Sequence, residues 1–115
     1  MDRIRILSFV AICCFLTSSM VVAPPTCSQI NPALVPCVPF LKGIALEPSI
    51  FCCIGTRVIK WRGKTTKDRV AICNCAKQML TGLIFYDPKR FPQLDEKCGV
   101  KLNYPPISKD LDCKK

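Results

Sequence analysis

Histidine is absent from all 115 residues. That removes every His-based catalytic triad, every His metal site and the usual proton shuttle near neutral pH. Acids are scarce: eight Asp and Glu stand against 17 Lys and Arg, a formal net charge of +9. No alternating apolar run flanked by Asn-Gly or Asp-Gly turns occurs, so nothing signals a strand. There is no internal repeat and no low-complexity segment. Asn31, Asn74 and Asn103 all lack the hydroxyl residue two positions on, so no N-glycosylation site exists. The apolar run at residues 6–16 is 11 residues long, too short for a membrane span of about 20. What is present is equally informative. Apolar residues make up 50% of the chain, which excludes a disordered protein. Ten cysteines are far above ordinary usage and point to a disulfide scaffold.

The N-terminus has the three parts of a secretory signal peptide. Arg3 and Arg5 supply the positive start, residues 6–16 the apolar core, and Val21-Val22-Ala23 the cleavage site before Pro24. The expected division is a signal at 1–23 and one domain at 24–115. Cys13 and Cys14 leave with the signal, so eight cysteines remain and the charge becomes +8. The secretory path is oxidising, and eight cysteines can form four disulfides there. The tail through Asp110, Asp112, Lys114 and Lys115 is too polar for a GPI signal. The expected destination is extracellular.

Prolines and glycines cut the remainder into four helical segments and an irregular tail. The first covers about 28–42, with Ile30, Leu34, Val38 and Leu41 on one face and a kink expected at Pro36 and Pro39. The second follows Pro48, with Ser49 as N-cap, an apolar stripe of Phe51, Ile54, Val58 and Trp61, and an end near Gly63. The third opens on Thr65 with Asp68 three residues later, a form of the capping box, and carries Ile72, Ala76, Leu80 and Leu83. The fourth is expected to start at Asp87-Pro88, with Pro92 interrupting it. From Gly99 onward the chain lacks periodicity and should form an arm tied down by Cys113. The fold class is all-α.

The cysteines are Cys27, Cys37, Cys52, Cys53, Cys73, Cys75, Cys98 and Cys113, with an adjacent pair and a Cys-x-Cys. Zinc fits poorly, since structural sites use paired Cys-x2-Cys knuckles. A catalytic thiol has no His to activate it. Eight cysteines allow 105 pairings, and spacing chooses none of them. The pattern as a whole, from Cys27 to Cys113, resembles the eight-cysteine motif of plant nonspecific lipid-transfer proteins of type 1, in the prolamin superfamily. Thr65-Thr66-Lys67-Asp68-Arg69 matches that family's first pentapeptide. Asn74 between Cys73 and Cys75, Cys98-Gly99-Val100 and Gln29 agree as well.

The resemblance implies four short helices and a C-terminal arm around a hydrophobic tunnel, stapled by Cys27–Cys75, Cys37–Cys52, Cys53–Cys98 and Cys73–Cys113. It implies a carrier of fatty acids, lysophospholipids and phospholipids that moves them between membranes, without catalysis, cofactor or metal. Arg69 and Tyr104 match the lipid head-group positions. Ile59, Ala76, Leu80, Leu83, Leu102 and Ile107 are the tunnel-lining candidates. Arg69 could instead pair with Asp68 or Asp95 at the helix start. The second pentapeptide departs from the family: Asn103-Tyr104-Pro105-Pro106-Ile107-Ser108 stands where Pro-Tyr-x-Ile-Ser is usual, with Asn for Pro and one residue added.

The family explains the basic stretch least. Arg57, Lys60, Arg62, Lys64, Lys67 and Arg69 put six cations in 13 residues, around Trp61 and opposed only by Asp68. Arg57, Lys60, Trp61, Arg62 and Lys64 are the expected contacts with an anionic membrane surface, at about 1 kcal/mol per cation. A solvated helix face is the alternative. Nucleic acid is not an expected partner, and a monomer is expected. Two other functions compete with lipid carriage: a cationic antimicrobial protein acting on membranes, and an inhibitor of digestive enzymes on a related cysteine scaffold.

Overall fold

The computed structural model describes residues 23–114. The signal peptide expected at 1–23 falls almost wholly outside them. Within them the chain is helical without strands. Helix α1 (Cys27–Leu34) passes through a 3-10 turn (Val35–Cys37) into α2 (Val38–Leu41). Then come α3 (Ile50–Arg62), α4 (Thr66–Thr81) and α5 (Arg90–Cys98). The backbone stays right-handed through Leu34, Val35, Cys37 and Val38, so α1, the turn and α2 form one kinked unit. The fold is four helical units followed by an irregular arm.

Local chemistry sets the ends. Gln29 Oε1 accepts from the Thr26 amide at 3.0 Å, satisfying an N–H that the α1 start leaves open. Pro36 and Pro39 each occupy the opening turn of their segments, where the missing donor costs little. Ser49 Oγ accepts from Cys52 N at 3.1 Å and caps α3. The capping box of α4 is complete: Asp68 N donates to Thr65 Oγ1 at 3.1 Å and Thr65 N to Asp68 Oδ2 at 3.3 Å.

Two expectations are corrected. Helix α5 begins at Arg90, not at Pro88. Asp87 Oδ1 accepts from Lys89 N at 3.0 Å, and this tight turn precedes the helix. Pro92 then lies in the first helical turn, where its absent N–H interrupts nothing. The second correction concerns the buried face of α3. Of the expected stripe, Phe51, Ile54 and Trp61 point outward and Val58 is half-buried, while Cys52, Gly55, Thr56 and Ile59 are buried instead. Cys52 is drawn inward by its bond to Cys37. Gly55 faces α1 so closely that a Cβ there would lie 1.8 Å from the Ala33 carbonyl oxygen.

The core is one cluster drawn from every helix and from the arm, including Ile30, Leu34, Phe40, Ile72, Phe91 and Leu94. The disulfides are Cys27–Cys75, Cys37–Cys52, Cys53–Cys98 and Cys73–Cys113, the pairs that the resemblance implies. They span sequence separations of 15 to 48 residues, each worth about 3–4 kcal/mol on the chain-entropy account. Arg90 adds a polar staple. Its Nη1 donates to the carbonyls of Phe40 and Ala45, both at 3.0 Å, with the guanidinium 4.8 Å from the Phe40 ring centroid. This holds the loop between α2 and α3 against α5.

The arm has no ladder of its own, so side chains of the helices satisfy its backbone. Lys60 Nζ donates to Lys101 O at 2.6 Å, Arg69 Nη2 to Asn103 O at 3.0 Å and Lys77 Nζ to Leu111 O at 2.7 Å. Tyr86 Oη donates to Ile107 O at 2.9 Å. Leu102, Tyr104 and Ile107 point into the core from it. Asn103 accounts for the substitution in the altered pentapeptide. Its φ is +59°, which proline cannot adopt. Its N–H donates to Asp95 Oδ2 at 2.8 Å, and proline has no such donor. The substitution and the left-handed turn belong together.

Candidate functional site

Arg69 stands one turn inside α4, fixed by the Thr65–Asp68 box beneath it. Tyr104 comes from the arm. The two meet: the guanidinium carbon lies 4.4 Å from the Tyr104 ring centroid, a cation–π arrangement. The acids that could have paired with Arg69 are engaged elsewhere, Asp68 in the cap and Asp95 on Asn103. Phe91 meets the Tyr104 ring edge-on at 5.9 Å, which holds it.

Beside this pair opens a cleft of about 240 Å³ between α4 and the arm, bordered by Arg69, Val70, Cys73, Tyr104, Pro105 and Leu111. The Tyr104 hydroxyl is not at its rim. It is buried without a hydrogen-bond partner, against Gly63, where a Cβ would lie 3.3 Å from it. A buried hydroxyl left unpaired costs about 1–3 kcal/mol. Burial raises the Tyr104 pKa, Arg69 opposes that rise and Asp68 adds to it. Tyr86 is likewise raised by burial.

The sign of the resulting pH dependence follows. Both phenols ionise less readily folded than unfolded, where they titrate near pH 10. The folded state therefore keeps its advantage below about pH 10 and loses it as pH rises above that value. The urea midpoint of the oxidised protein should fall between about pH 9 and about pH 11. A flat midpoint over that range contradicts the buried state of the Tyr104 phenol.

The six tunnel candidates all belong to the core. Ile59, Ala76, Leu80, Leu102 and Ile107 are buried, and Leu83 packs on the cluster partly exposed. The five candidate membrane contacts divide. Trp61, Arg62 and Lys64 come together, with the Arg62 and Lys64 cations 5.8 and 5.3 Å from the indole centroid. They border a second cleft of about 440 Å³ with Gln29, Thr65 and Asp68. Arg57 is exposed on α3, and Lys60 is turned to the arm. Sequence reasoning missed Gly63 beside the hydroxyl, and the Asp95–Asn103 bond that sets the arm's course.

A helical fold with these four staples defines a class. The chain belongs to the protease inhibitor/seed storage/LTP family, whose model matches residues 27–113. Within it, the chain is 49% identical to a non-specific lipid-transfer protein of Ambrosia artemisiifolia, over all of this chain and 98% of that one. It is 35% identical to non-specific lipid-transfer protein 1 of Prunus dulcis, over 93% of this chain and 90% of that one. Among solved structures it resembles barley non-specific lipid transfer protein 1 in complex with lysophosphatidylcholine, with TM-score 0.70 and 30% identity, covering 79% of this chain and 98% of that one. It also resembles the wheat protein complexed with two phospholipid molecules, with TM-score 0.67 and 29% identity, over 78% and 98% of the two chains.

Proposed function

We propose that residues 24–115, freed of a signal at 1–23, form a secreted carrier for fatty acids, lysophospholipids and phospholipids, which it transfers between membranes without a catalytic step. The observation that carries this reading is the Arg69 guanidinium stacked on the Tyr104 ring at the edge of a cleft between α4 and the arm. The guanidinium meets phosphate or carboxylate at the cleft, and a lipid ester that passes inward of it supplies the acceptor that the buried Tyr104 hydroxyl lacks. The ligands held by the barley and wheat relatives support the same lipid class.

A cleft of about 240 Å³ is smaller than the roughly 300–1,000 Å³ of ordinary ligand sites. The acyl chain therefore extends it inward along Ile59, Ala76, Leu80, Leu83, Leu102 and Ile107. The arm can yield, since it is fastened to the helices by separate side-chain bonds rather than by a ladder. Each buried CH2 contributes about 0.8 kcal/mol with no directional demand, so chain length governs affinity and head-group selectivity is broad. Arg57, Lys60, Arg62 and Lys64 attract the carrier to an anionic bilayer, with Trp61 at its boundary, and salt weakens the charge attraction.

The test is displacement of an apolar fluorescent probe from the oxidised protein by lysophosphatidylcholine, a fatty acid and the matching fatty alcohol. Saturable displacement near one lipid per protein is expected. Arg69→Ala should weaken lysophosphatidylcholine and fatty acid by about tenfold or more, the worth of a hydrogen bond to a charged group, and leave the alcohol unchanged. Unaltered affinity for all three removes Arg69 from the site. No displacement by any of them overturns the carrier reading.

A further inference from the structure

The outward face of α3 is the feature lipid carriage leaves unused. A helix on a soluble protein turns its polar side to water. Here the inner side is taken by Cys52, Gly55, Thr56 and Ile59, yet the outer side is apolar too. Ile50 is 78% exposed, Phe51 72%, Ile54 48% and Trp61 64%. Residues 50, 54 and 61 fall on one helical line, with 51 beside it. The loop leading into the helix continues the pattern, with Ile44 and Leu46 also exposed. Exposed apolar side chains gathered on one face in this way mark an interaction site.

The charges select the partner. Arg57 lies on this face between Ile54 and Trp61, Arg62 and Lys64 flank the indole, and α3 contains no acid. A second copy docked face to face would oppose cation to cation, because a two-fold interface repeats the same patch. An anionic bilayer answers both features. It takes apolar side chains below the head groups, accepts cations at their level and suits a tryptophan at the boundary.

We propose that α3 is an interfacial helix that lies flat on an anionic bilayer with Phe51, Ile54 and Trp61 inserted below the head groups. This deepens the membrane contact of the carrier reading and rests on it only for its purpose. Charge attraction brings the protein to the surface; insertion holds it there and persists in salt. The helix also links the bilayer to the cleft. Lys60 of α3 holds the arm at Lys101 O, and Gly63 at its end lies against the Tyr104 hydroxyl.

Trp61 is the sole tryptophan of the chain, so its emission reports this face alone. The oxidised protein is titrated with phosphatidylcholine vesicles, with and without about a quarter phosphatidylglycerol, at low and high salt. Expected with the anionic vesicles are a blue shift of Trp61 and quenching by lipids brominated in the acyl chain. Phe51→Ser with Ile54→Ser should lower partitioning by about tenfold or more at either salt concentration, with lysophosphatidylcholine displacement unchanged. Arg57→Gln should lower partitioning at low salt only. Undiminished partitioning of the double variant overturns the proposal, as does vesicle binding without quenching of Trp61. So does a wild-type dimer in sedimentation that the double variant dissociates. Quenched, salt-resistant binding by a protein that displaces no probe supports insertion and refutes the carrier reading alone.

Discussion

Gly55→Ala should destabilise the oxidised protein by about 3 kcal/mol or more, the upper end of what overpacking a core costs. The reason is backbone against backbone. The added Cβ would sit 1.8 Å from the Ala33 carbonyl oxygen and 2.8 Å from its carbon, and neither atom can rotate away as a side chain would. Helices α1 and α3 would have to part. The Cys37–Cys52 bond joins the segments on either side of that crossing, so separation is resisted and the strain is retained. At about 4–8 °C per kcal/mol for a domain of this size, the loss reads directly in Tm. Gly82→Ala is the control. It caps α4 with φ −75°, and the nearest atom to an added Cβ is Met79 O at 3.4 Å. With no strain to relieve and a less flexible unfolded chain, that variant should match the parent or gain about 0.4–1 kcal/mol. Equal Tm values for the two variants would mean that α1 and α3 do not cross this closely.

The same glycine explains where sequence reading succeeded and where it turned the molecule around. Helix positions were legible because their ends are written in local chemistry: Ser49, the Thr65–Asp68 box and Gly63 fall at the boundaries the structure shows. The inward face of α3 was not. Periodicity finds a stripe without saying which way it points, and this helix has two. Phe51, Ile54 and Trp61 are the more apolar, but Cys52 and Gly55 decide, one by a covalent bond and the other by close approach. A glycine three residues after a cysteine inside a helix was the available signal. At α5, Asp87-Pro88 reads equally well as a helix start or as the tight turn it is, and only the tertiary bonds of Arg90 to Phe40 and Ala45 separate the two.

The disulfide pairing lay beyond spacing, because 105 arrangements satisfy the same sequence; the family resemblance supplied it. Asn103 was visible as a departure but not as a solution. Its positive φ and its bond to Asp95 exist only once α5 and the arm are side by side. Arg69 and Tyr104 came from motif positions, and the structure brings them together. The burial of the hydroxyl was not legible, since it depends on Gly63, 41 positions away in the chain.

That hydroxyl gives the second large effect, in which stability and binding move in opposite directions. Tyr104→Phe keeps the ring, its edge contact with Phe91 and its stack under Arg69. It removes only an oxygen that is buried without a partner. The ligand-free protein should therefore become more stable, by up to about 1–3 kcal/mol, the desolvation cost of a lone buried polar group. Its loss of stability above pH 10 should shrink as well, leaving the Tyr86 share. If lipid supplies the hydroxyl's acceptor, the same variant should bind lysophosphatidylcholine about tenfold more weakly, near 1.4 kcal/mol. A purely structural role predicts something else: phenylalanine would then leave affinity alone or raise it with stability. Denaturant midpoints with and without saturating lipid decide the matter, because ligand stabilises in proportion to its affinity. Parent and variant curves should cross, the variant being the more stable alone and the parent gaining more from lipid. Parallel displacement of the two would remove Tyr104 from the head-group site and leave Arg69 to act there without it.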